Sequence, residues 1–177
     1  MTHEEVWAQG RAYLLAQAEK NDFAAAWPRV MAQRALLLAA VADVSEKQAD
    51  FRPAGPPDAE RPWSIAMVTR HIATSTRNVL AIIEATASGQ TAPQDPIAGL
   101  GIEYPSFADA RKALIDVSLE LAGLLGRLPA VPNLDVAVAH FWFGPLNSRA
   151  WFLFQRLHDA DHTGQIAQIR AAEGFPG

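Results

Sequence analysis

The chain has 177 residues, of which 50% are hydrophobic and 19% are charged. This length and apolar content predict a single domain with a sizeable core and exclude a disordered solvating tail. The absence of cysteine excludes a disulfide framework, an iron–sulfur cluster, a cysteine-based zinc site and a thiolate nucleophile. A formal net charge of −4, without a run of Lys and Arg, argues against nucleic acid as a partner.

The sequence predicts neither a membrane span nor a secretory signal. Its longest apolar run, Ala35 to Ala42, is far shorter than the roughly 20 residues that cross a bilayer. His3, Glu4 and Glu5 stand where a signal peptide would carry positive charge. We therefore expect a cytoplasmic protein without a membrane partner.

The first part of the chain predicts two helices. One covers residues 4–20 approximately and presents Val6, Tyr13 and Leu14, which we expect to pack on the outside of a bundle or on a partner. The other begins at Pro28, because proline suits a first helical turn, and runs to about Val44. The core of the domain is expected over residues 24–173 approximately.

Two proline-free windows further along the chain predict long amphipathic helices. The window from Ser64 to Ala87 opens on a serine that can cap a helix. Its apolar side chains recur every three or four residues, at Ile65, Val68, Ile72, Val79 and Ile83. The next window opens at Ser106, which with Asp109 resembles a capping box, and continues with the same rhythm to Leu128.

The last helix is predicted from about Pro145 to at least Ala171. A short extended segment at Leu134, Val136 and Val138 is expected before it. The predicted fold class is therefore all-α: one domain over residues 1–177, built as a four-helix bundle with an additional N-terminal helix. Its connecting loops are long for such a bundle, which indicates that they cover something.

One stripe of the last helix combines aromatic, aliphatic and imidazole side chains. It consists of Trp151, Phe154, His158, His162, Ile166 and Ile169. His158 and His162 are four residues apart, so their rings lie above one another and each can supply one nitrogen to a shared metal ion. The alternative is a pair of core histidines hydrogen-bonded to their neighbours, or a pair exposed on the surface.

A third imidazole, His71, lies on the edge of the apolar stripe of the Ser64–Ala87 helix. Three histidines that converge from facing helices leave coordination positions open, which is typical of a catalytic metal site. Taken alone, His71 is more simply explained as a polar group satisfied beside Thr74 and Ser75.

Several further residues are candidates for a pocket around these histidines. Those expected to wall the pocket or to support a metal ion are Trp63, Ser75, His140, Trp142, Trp151 and Gln165. Asp159 and Asp161 flank the histidine pair, and Asp161 is the stronger candidate to orient a ring. Gly164, which is unfavourable inside a helix, predicts a close helix crossing.

Three segments resemble the DinB/YfiT-like family of metalloenzymes. They are Trp63-Ser64-Ile65 leading into Arg70-His71-Ile72, then the stretch from His140 to Asn147, and then Leu157-His158-Asp159-Ala160-Asp161-His162-Thr163-Gly164-Gln165-Ile166. The resemblance implies a four-helix bundle with up-down-down-up connectivity. It also implies a divalent metal ion, zinc, nickel or iron, on His71, His158 and His162.

The resemblance further implies reactions on small molecules. Members of the wider family include S-transferases that use bacillithiol or mycothiol and a thiol-dependent maleylpyruvate isomerase, so a low-molecular-weight thiol is a candidate cosubstrate. A hydrolase is equally consistent with the residues. In either case His140 and Asp161 are the candidate proton carriers.

Two other classes of function stay open. One is a non-catalytic, stress-related bundle protein that binds a metal or a ligand, and the other is a structural dimerisation module. We expect a homodimer, because bundles of this size often pair through a helix face.

Overall fold

The computed structural model describes residues 2–55, 62–92 and 104–177. Within these ranges the regular secondary structure is helical apart from one two-stranded hairpin. In chain order the elements are α1 (His3–Lys20), α2 (Phe23–Ala42), α3 (Glu46–Asp50), α4 (Ile65–Ala87), α5 (Phe107–Ala122), a 3₁₀ helix (Leu124–Arg127), β1 (Ala137–His140), β2 (Gly144–Asn147) and α6 (Ser148–Ala171). Residues 56–61 and 93–103, which belong to two of the expected long loops, lie outside the described part of the chain.

The two N-terminal helices are confirmed, but the predicted start of the second is wrong. The side chain of Asp22 accepts a hydrogen bond from the backbone N–H of Ala25 and caps α2 at Phe23. Pro28 therefore lies inside α2. A proline there removes one intrahelical hydrogen bond, whereas the burial of Phe23 and Ala26 anchors the preceding turn. The cap and these two contacts place the start of α2 five residues earlier than the proline indicated.

The prediction for α4 is confirmed at both ends and along its apolar face. Ser64 accepts from the backbone N–H of Met67 and starts the helix. All five predicted apolar side chains are buried, namely Ile65, Val68, Ile72, Val79 and Ile83.

Helix α5 starts as predicted but is shorter. Ser106 caps it by accepting from the N–H of Asp109, and α5 ends at Ala122. A 3₁₀ turn follows from Leu124, because Gly123 and Gly126 lower the helix propensity of this stretch. Leu124 is nevertheless buried, so the apolar rhythm continues after the regular helix has ended.

A short hairpin precedes α6. Strands β1 and β2 pair antiparallel, with His140 opposite Gly144, whose φ is +68°. Of the three residues predicted to be extended, only Val138 lies in β1. Pro145 belongs to β2, so the predicted start of the last helix is also wrong by three residues. Asn147 caps α6 instead, by accepting from the N–H of Ala150.

Four of the helices pack against one another to form the core. Helices α2 and α4 each contact both α5 and α6. Helix α1 lies against α6 and β2 with Leu14 and Ala18 buried, whereas Val6 and Tyr13 stay exposed. None of the helices in the described ranges is long and apolar enough to cross a membrane.

Candidate metal centre

Three imidazoles converge where α4 packs on α6. His71 comes from α4, and His158 and His162 come from successive turns of α6. The Nε2 atom of His158 lies 3.1 Å from the Nε2 atom of His71 and 3.1 Å from that of His162. The three candidate ligand atoms all lie within 4.8 Å of one another. We call these three residues the histidine cluster.

The spacing within the histidine cluster fits a shared metal ion. Metal–nitrogen bonds of about 2.0–2.1 Å place neighbouring ligand nitrogens about 2.9 Å apart in an octahedral site and about 3.4 Å apart in a tetrahedral one. The observed separations of 3.1 Å fall between these values. Where the rings carry their proton on Nδ1, the facing Nε2 lone pairs repel one another at this distance, and a bound cation turns that repulsion into attraction.

The surroundings keep His71 and His158 in the neutral form that binds metal. Burial, together with the neighbouring His162, lowers the pKa of His71 to about 4. Burial also holds the pKa of His158 well below its usual range. The Nδ1 atom of His162 donates to Oε1 of Gln165 at 2.8 Å, which leaves the lone pair of His162 on Nε2.

Trp63, from the segment that leads into α4, covers one side of the histidine cluster. Its ring meets His71 edge to face at a centroid distance of 5.3 Å and lies parallel to His162 at 6.5 Å. An indole in this position shields both imidazoles from water. The cluster is therefore flanked by protein on the side of α4.

A cavity of about 820 Å³ opens beside His162 and Gln165. Its lining comes from the segments on either side of residues 56–61 and from the C-terminal half of α6. The residues are Pro53, Pro62, Trp63, Ala160, Asp161, His162, Gly164, Gln165, Gln168, Ile169 and Ala172. Gly164 faces this open space, and a Cβ atom there would meet nothing within 4 Å. The close helix crossing predicted at Gly164 is therefore wrong.

The structure distinguishes sharply between the two aspartates that flank the histidines. Asp161 is exposed and lines the cavity, whereas Asp159 is fully buried on the other side of α6. Neither carboxylate makes a hydrogen bond to the histidine cluster in the described structure. The amide of Gln165 occupies that role for His162 instead.

Asp159 forms a buried ion pair with Arg34, a residue that sequence reasoning missed. Nε and Nη2 of Arg34 donate to the two carboxylate oxygens at 2.7 and 2.9 Å, and both side chains are 0% exposed. The same guanidinium donates to Thr76 of α4, Ser118 of α5 and Gln155 of α6. One buried cation of α2 is thus bonded to α4, α5 and α6, next in sequence to His158 through Asp159.

His140 lies away from the cavity, inside the hairpin. Its Nδ1 atom accepts from the backbone N–H groups of Trp142 and Phe143 at 3.1 and 3.3 Å. The ring of Phe154 contacts both His140 and His158, at centroid distances of 4.6 and 5.2 Å. Burial lowers the pKa of His140 to about 4. In this structure His140 closes the hairpin turn.

The remaining pocket candidates divide in the same way. Trp63 and Gln165 line the cavity.

The other candidates lie elsewhere. Trp151 is buried and donates from Nε1 to the carbonyl of Val138. Trp142 is exposed, and its ring stacks on that of Trp7 at a centroid distance of 6.1 Å. The hydroxyl of Ser75 faces the carbonyl of Ile72 in its own helix. These last three side chains are not among those that line the cavity.

A comparison with protein families shows the family of this chain. The model of the DinB superfamily matches residues 30–166. The chain belongs to the DinB superfamily. The match runs from within α2 to within α6 and contains all three residues of the histidine cluster, which confirms the resemblance seen in the sequence. DinB proteins in general bind metal ions. No curated protein and no solved structure matches the chain significantly.

Proposed function

We propose that this DinB protein is an enzyme that binds one divalent metal ion on His71, His158 and His162. The convergence of three Nε2 atoms, with separations of 3.1 Å from the central His158, is the observation that carries the proposal. Three protein nitrogens leave coordination positions open, as in catalytic sites. When bound, a divalent ion supplies Lewis-acid chemistry at the edge of the cavity.

The residues around the histidine cluster have separable roles in this proposal. Gln165 fixes the orientation of the His162 ring by accepting from Nδ1. Trp63 excludes water from one side of the rings. Asp161 is the candidate that moves a proton, because its carboxylate lines the cavity, whereas Nδ1 of His140 is engaged by two backbone N–H groups.

The reaction that we propose is a transfer to a small electrophile, with a low-molecular-weight thiol as cosubstrate, or a hydrolysis. The cavity of about 820 Å³ falls within the range of about 300–1,000 Å³ that small-molecule sites occupy. Zinc, nickel and iron are the candidate metals, because an all-imidazole site accepts several first-row ions and cellular availability decides among them.

We further propose that α2, α4, α5 and α6 form an up-down-down-up four-helix bundle and that the protein is a cytoplasmic homodimer. The contacts of α2 and α4 with both α5 and α6 support the bundle. The exposure of Val6 and Tyr13 on α1 leaves apolar surface for a second copy. Light scattering on the purified protein measures the oligomeric state directly.

The metal content of the purified protein tests the proposed site. Untagged protein reconstituted with zinc, nickel or iron should hold close to one ion per chain by mass spectrometry. His71→Ala, His158→Ala and His162→Ala should each lose the ion while keeping their helical circular dichroism. His140→Asn is the matched control, since it changes a buried histidine outside the cluster and should keep the ion. Metal retained by all three alanine variants, or absent from reconstituted wild type, would overturn the site.

Turnover then tests the enzymatic part of the proposal. Metal-loaded protein should consume electrophiles in the presence of a thiol, or hydrolyse them without one, and His162→Ala should abolish either rate. Stoichiometric metal without turnover of any electrophile or ester would favour the non-catalytic binding protein. Dimerisation without metal or ligand binding would favour the structural module.

A further inference from the structure

Arg34 of α2 is bonded to both of the helices that carry the histidine cluster. On α6, its Nε and Nη2 atoms donate to the carboxylate of Asp159 at 2.7 and 2.9 Å, and Nη2 also donates to Oε1 of Gln155 at 3.3 Å. On α4, the same Nη2 atom donates to Oγ1 of Thr76 at 2.9 Å. One side chain therefore bridges α6 and α4.

These contacts lie within about one and a half helical turns of the histidine cluster. Asp159 directly follows His158 in the chain and stands three residues before His162. Thr76 follows His71 by five residues, which is about 7.5 Å along the helix axis. The guanidinium therefore holds the turn of α6 that carries two of the imidazoles near the part of α4 that carries the third.

The chemistry of this network resists a displacement of α4 relative to α6. The donors of a guanidinium form a rigid planar fork, and the side chains of Arg34, Thr76, Gln155 and Asp159 are all buried. A buried polar group that loses its hydrogen bond gains no water in exchange, so each lost bond is costly. Sliding one helix along the other would break at least one of these bonds.

We propose that Arg34 is a positioning residue for the histidine cluster, because it fixes α4 against α6 so that His71 faces His158 and His162. The inference rests on the proposed function, since the spacing that Arg34 sets becomes the spacing of the metal ligands. Helix α5 carries no residue of the cluster. The bond from Nη1 of Arg34 to Oγ of Ser118, at 3.1 Å, should therefore contribute to stability alone.

Thr76→Val and Ser118→Ala are a matched pair of variants that test this role. Each removes one buried hydroxyl that accepts from Arg34 and leaves the ion pair with Asp159 in place, so both should fold and lose similar amounts of stability in urea. Thr76→Val should weaken zinc binding by about threefold to tenfold, which is less than the loss of a group bonded directly to a ligand. Ser118→Ala should keep the wild-type affinity. Competition with a chromophoric chelator measures both.

Arg34→Lys removes the fork and keeps the positive charge beside Asp159. It should weaken zinc binding by about tenfold and change the visible spectrum of the cobalt-loaded protein, because the ligands around the ion are rearranged. Ser118→Ala should leave that spectrum unchanged. Wild-type zinc affinity in both Thr76→Val and Arg34→Lys, or equal losses of affinity in Thr76→Val and Ser118→Ala, would each overturn the inference.

NMR of the imidazole rings in metal-free protein separates this inference from the proposed metal function. Thr76→Val should shift the ring signals of His71, and Ser118→Ala should leave them in place. A protein that holds zinc, and whose variants bind it as tightly as wild type, refutes the positioning role and leaves the metal site intact. A protein that holds no zinc, yet shows the shift in Thr76→Val alone, refutes the metal function and supports the control of the cluster geometry by Arg34. Unshifted signals in Thr76→Val would contradict that control.

Discussion

Gln165 is the side chain that fixes the orientation of a proposed metal ligand. Its Oε1 atom accepts from Nδ1 of His162 at 2.8 Å, and such support usually contributes a factor of about 10–100 to metal affinity. Gln165→Leu should therefore weaken zinc binding by that factor, measured by competition with a chromophoric chelator. Gln168→Leu is the control on the same helix and in the same cavity. Equal affinity in the two variants would contradict the role of Gln165.

The sequence predicts which histidines can share a metal ion, but not which side chains surround them. His158 and His162 follow from their spacing, because residues four apart share a helix face. Spacing does not decide whether Asp159 or Asp161 lies beside the histidine rings. Each carboxylate is about 100° around the helix from a histidine, and periodicity does not show which side of α6 packs against α2. The sequence does not single out Arg34, because arginine is usually exposed, although it stands in the same buried register as Val30 and Leu37.

His140 should make the stability of the metal-free protein depend on pH. Burial lowers its pKa to about 4 from an ordinary value of 6.5. As the pH falls from 6.5 towards 4, the unfolded chain therefore takes up a proton before the folded chain does, and the free energy of unfolding decreases. At higher pH both states are neutral at this ring, so the slope disappears.

His140→Asn should reduce this pH dependence. The asparagine side chain places an amide oxygen where Nδ1 accepts from the backbone of the hairpin, but it does not titrate. Urea unfolding at pH 7 and pH 5 should show a smaller loss of stability at the lower pH in the variant than in the wild type. An identical loss in both proteins would assign the pH dependence to other groups, of which His71 is the first candidate because its pKa is also lowered.

Helices α2 and α6 are joined by the buried Arg34–Asp159 ion pair. Both side chains are 0% exposed, and burial raises the pKa of Asp159 while the Arg34 guanidinium opposes that rise. Removing one partner leaves the other buried without its counter-ion. Arg34→Met and Asp159→Leu should therefore each lower the free energy of unfolding by about 3–5 kcal/mol, measured by urea denaturation.

The double variant distinguishes an ion pair from two independent contacts. Arg34→Met combined with Asp159→Leu leaves no unpaired charge of this pair, so its destabilisation should be smaller than the sum of the single effects. The exposed i,i+4 pair of Lys112 and Asp116 is the control, and breaking it should change stability by at most about 0.5 kcal/mol. Additive losses at Arg34 and Asp159 would contradict the coupling.

The elements themselves were predictable where a cap and an apolar rhythm agree. Ser64 and the stripe that follows it define α4 from the sequence alone. The predicted starts of α2 and α6 are wrong because proline favours a first helical turn without fixing it, whereas Asp22 and Asn147 supply the caps that decide where the backbone hydrogen bonds begin. The pairing of β1 with β2 depends on a turn held by His140, a contact that alternation of side chains does not reveal.

For the whole molecule, the proposed metal ion is a cross-link between two distant stretches of chain. His71 and His158 are 87 residues apart in sequence but meet through their Nε2 atoms. An ion that binds only the folded chain stabilises it by about 2.7 kcal/mol when its free concentration is 100 times the Kd. For a domain of this size that corresponds to a rise in Tm of about 5–10 °C.

Calorimetry with and without zinc checks this prediction. The wild type should show the rise in Tm, and His162→Ala should show none, because two imidazoles bind the ion much more weakly than three. Gln168→Leu should behave like the wild type, since its change in the cavity leaves the histidine cluster intact. An equal rise in His162→Ala would place the ion elsewhere on the protein. If the zinc-loaded wild type shows no rise in Tm, the unfolded chain binds zinc as tightly as the folded chain does. The ion would then not act as a cross-link between α4 and α6.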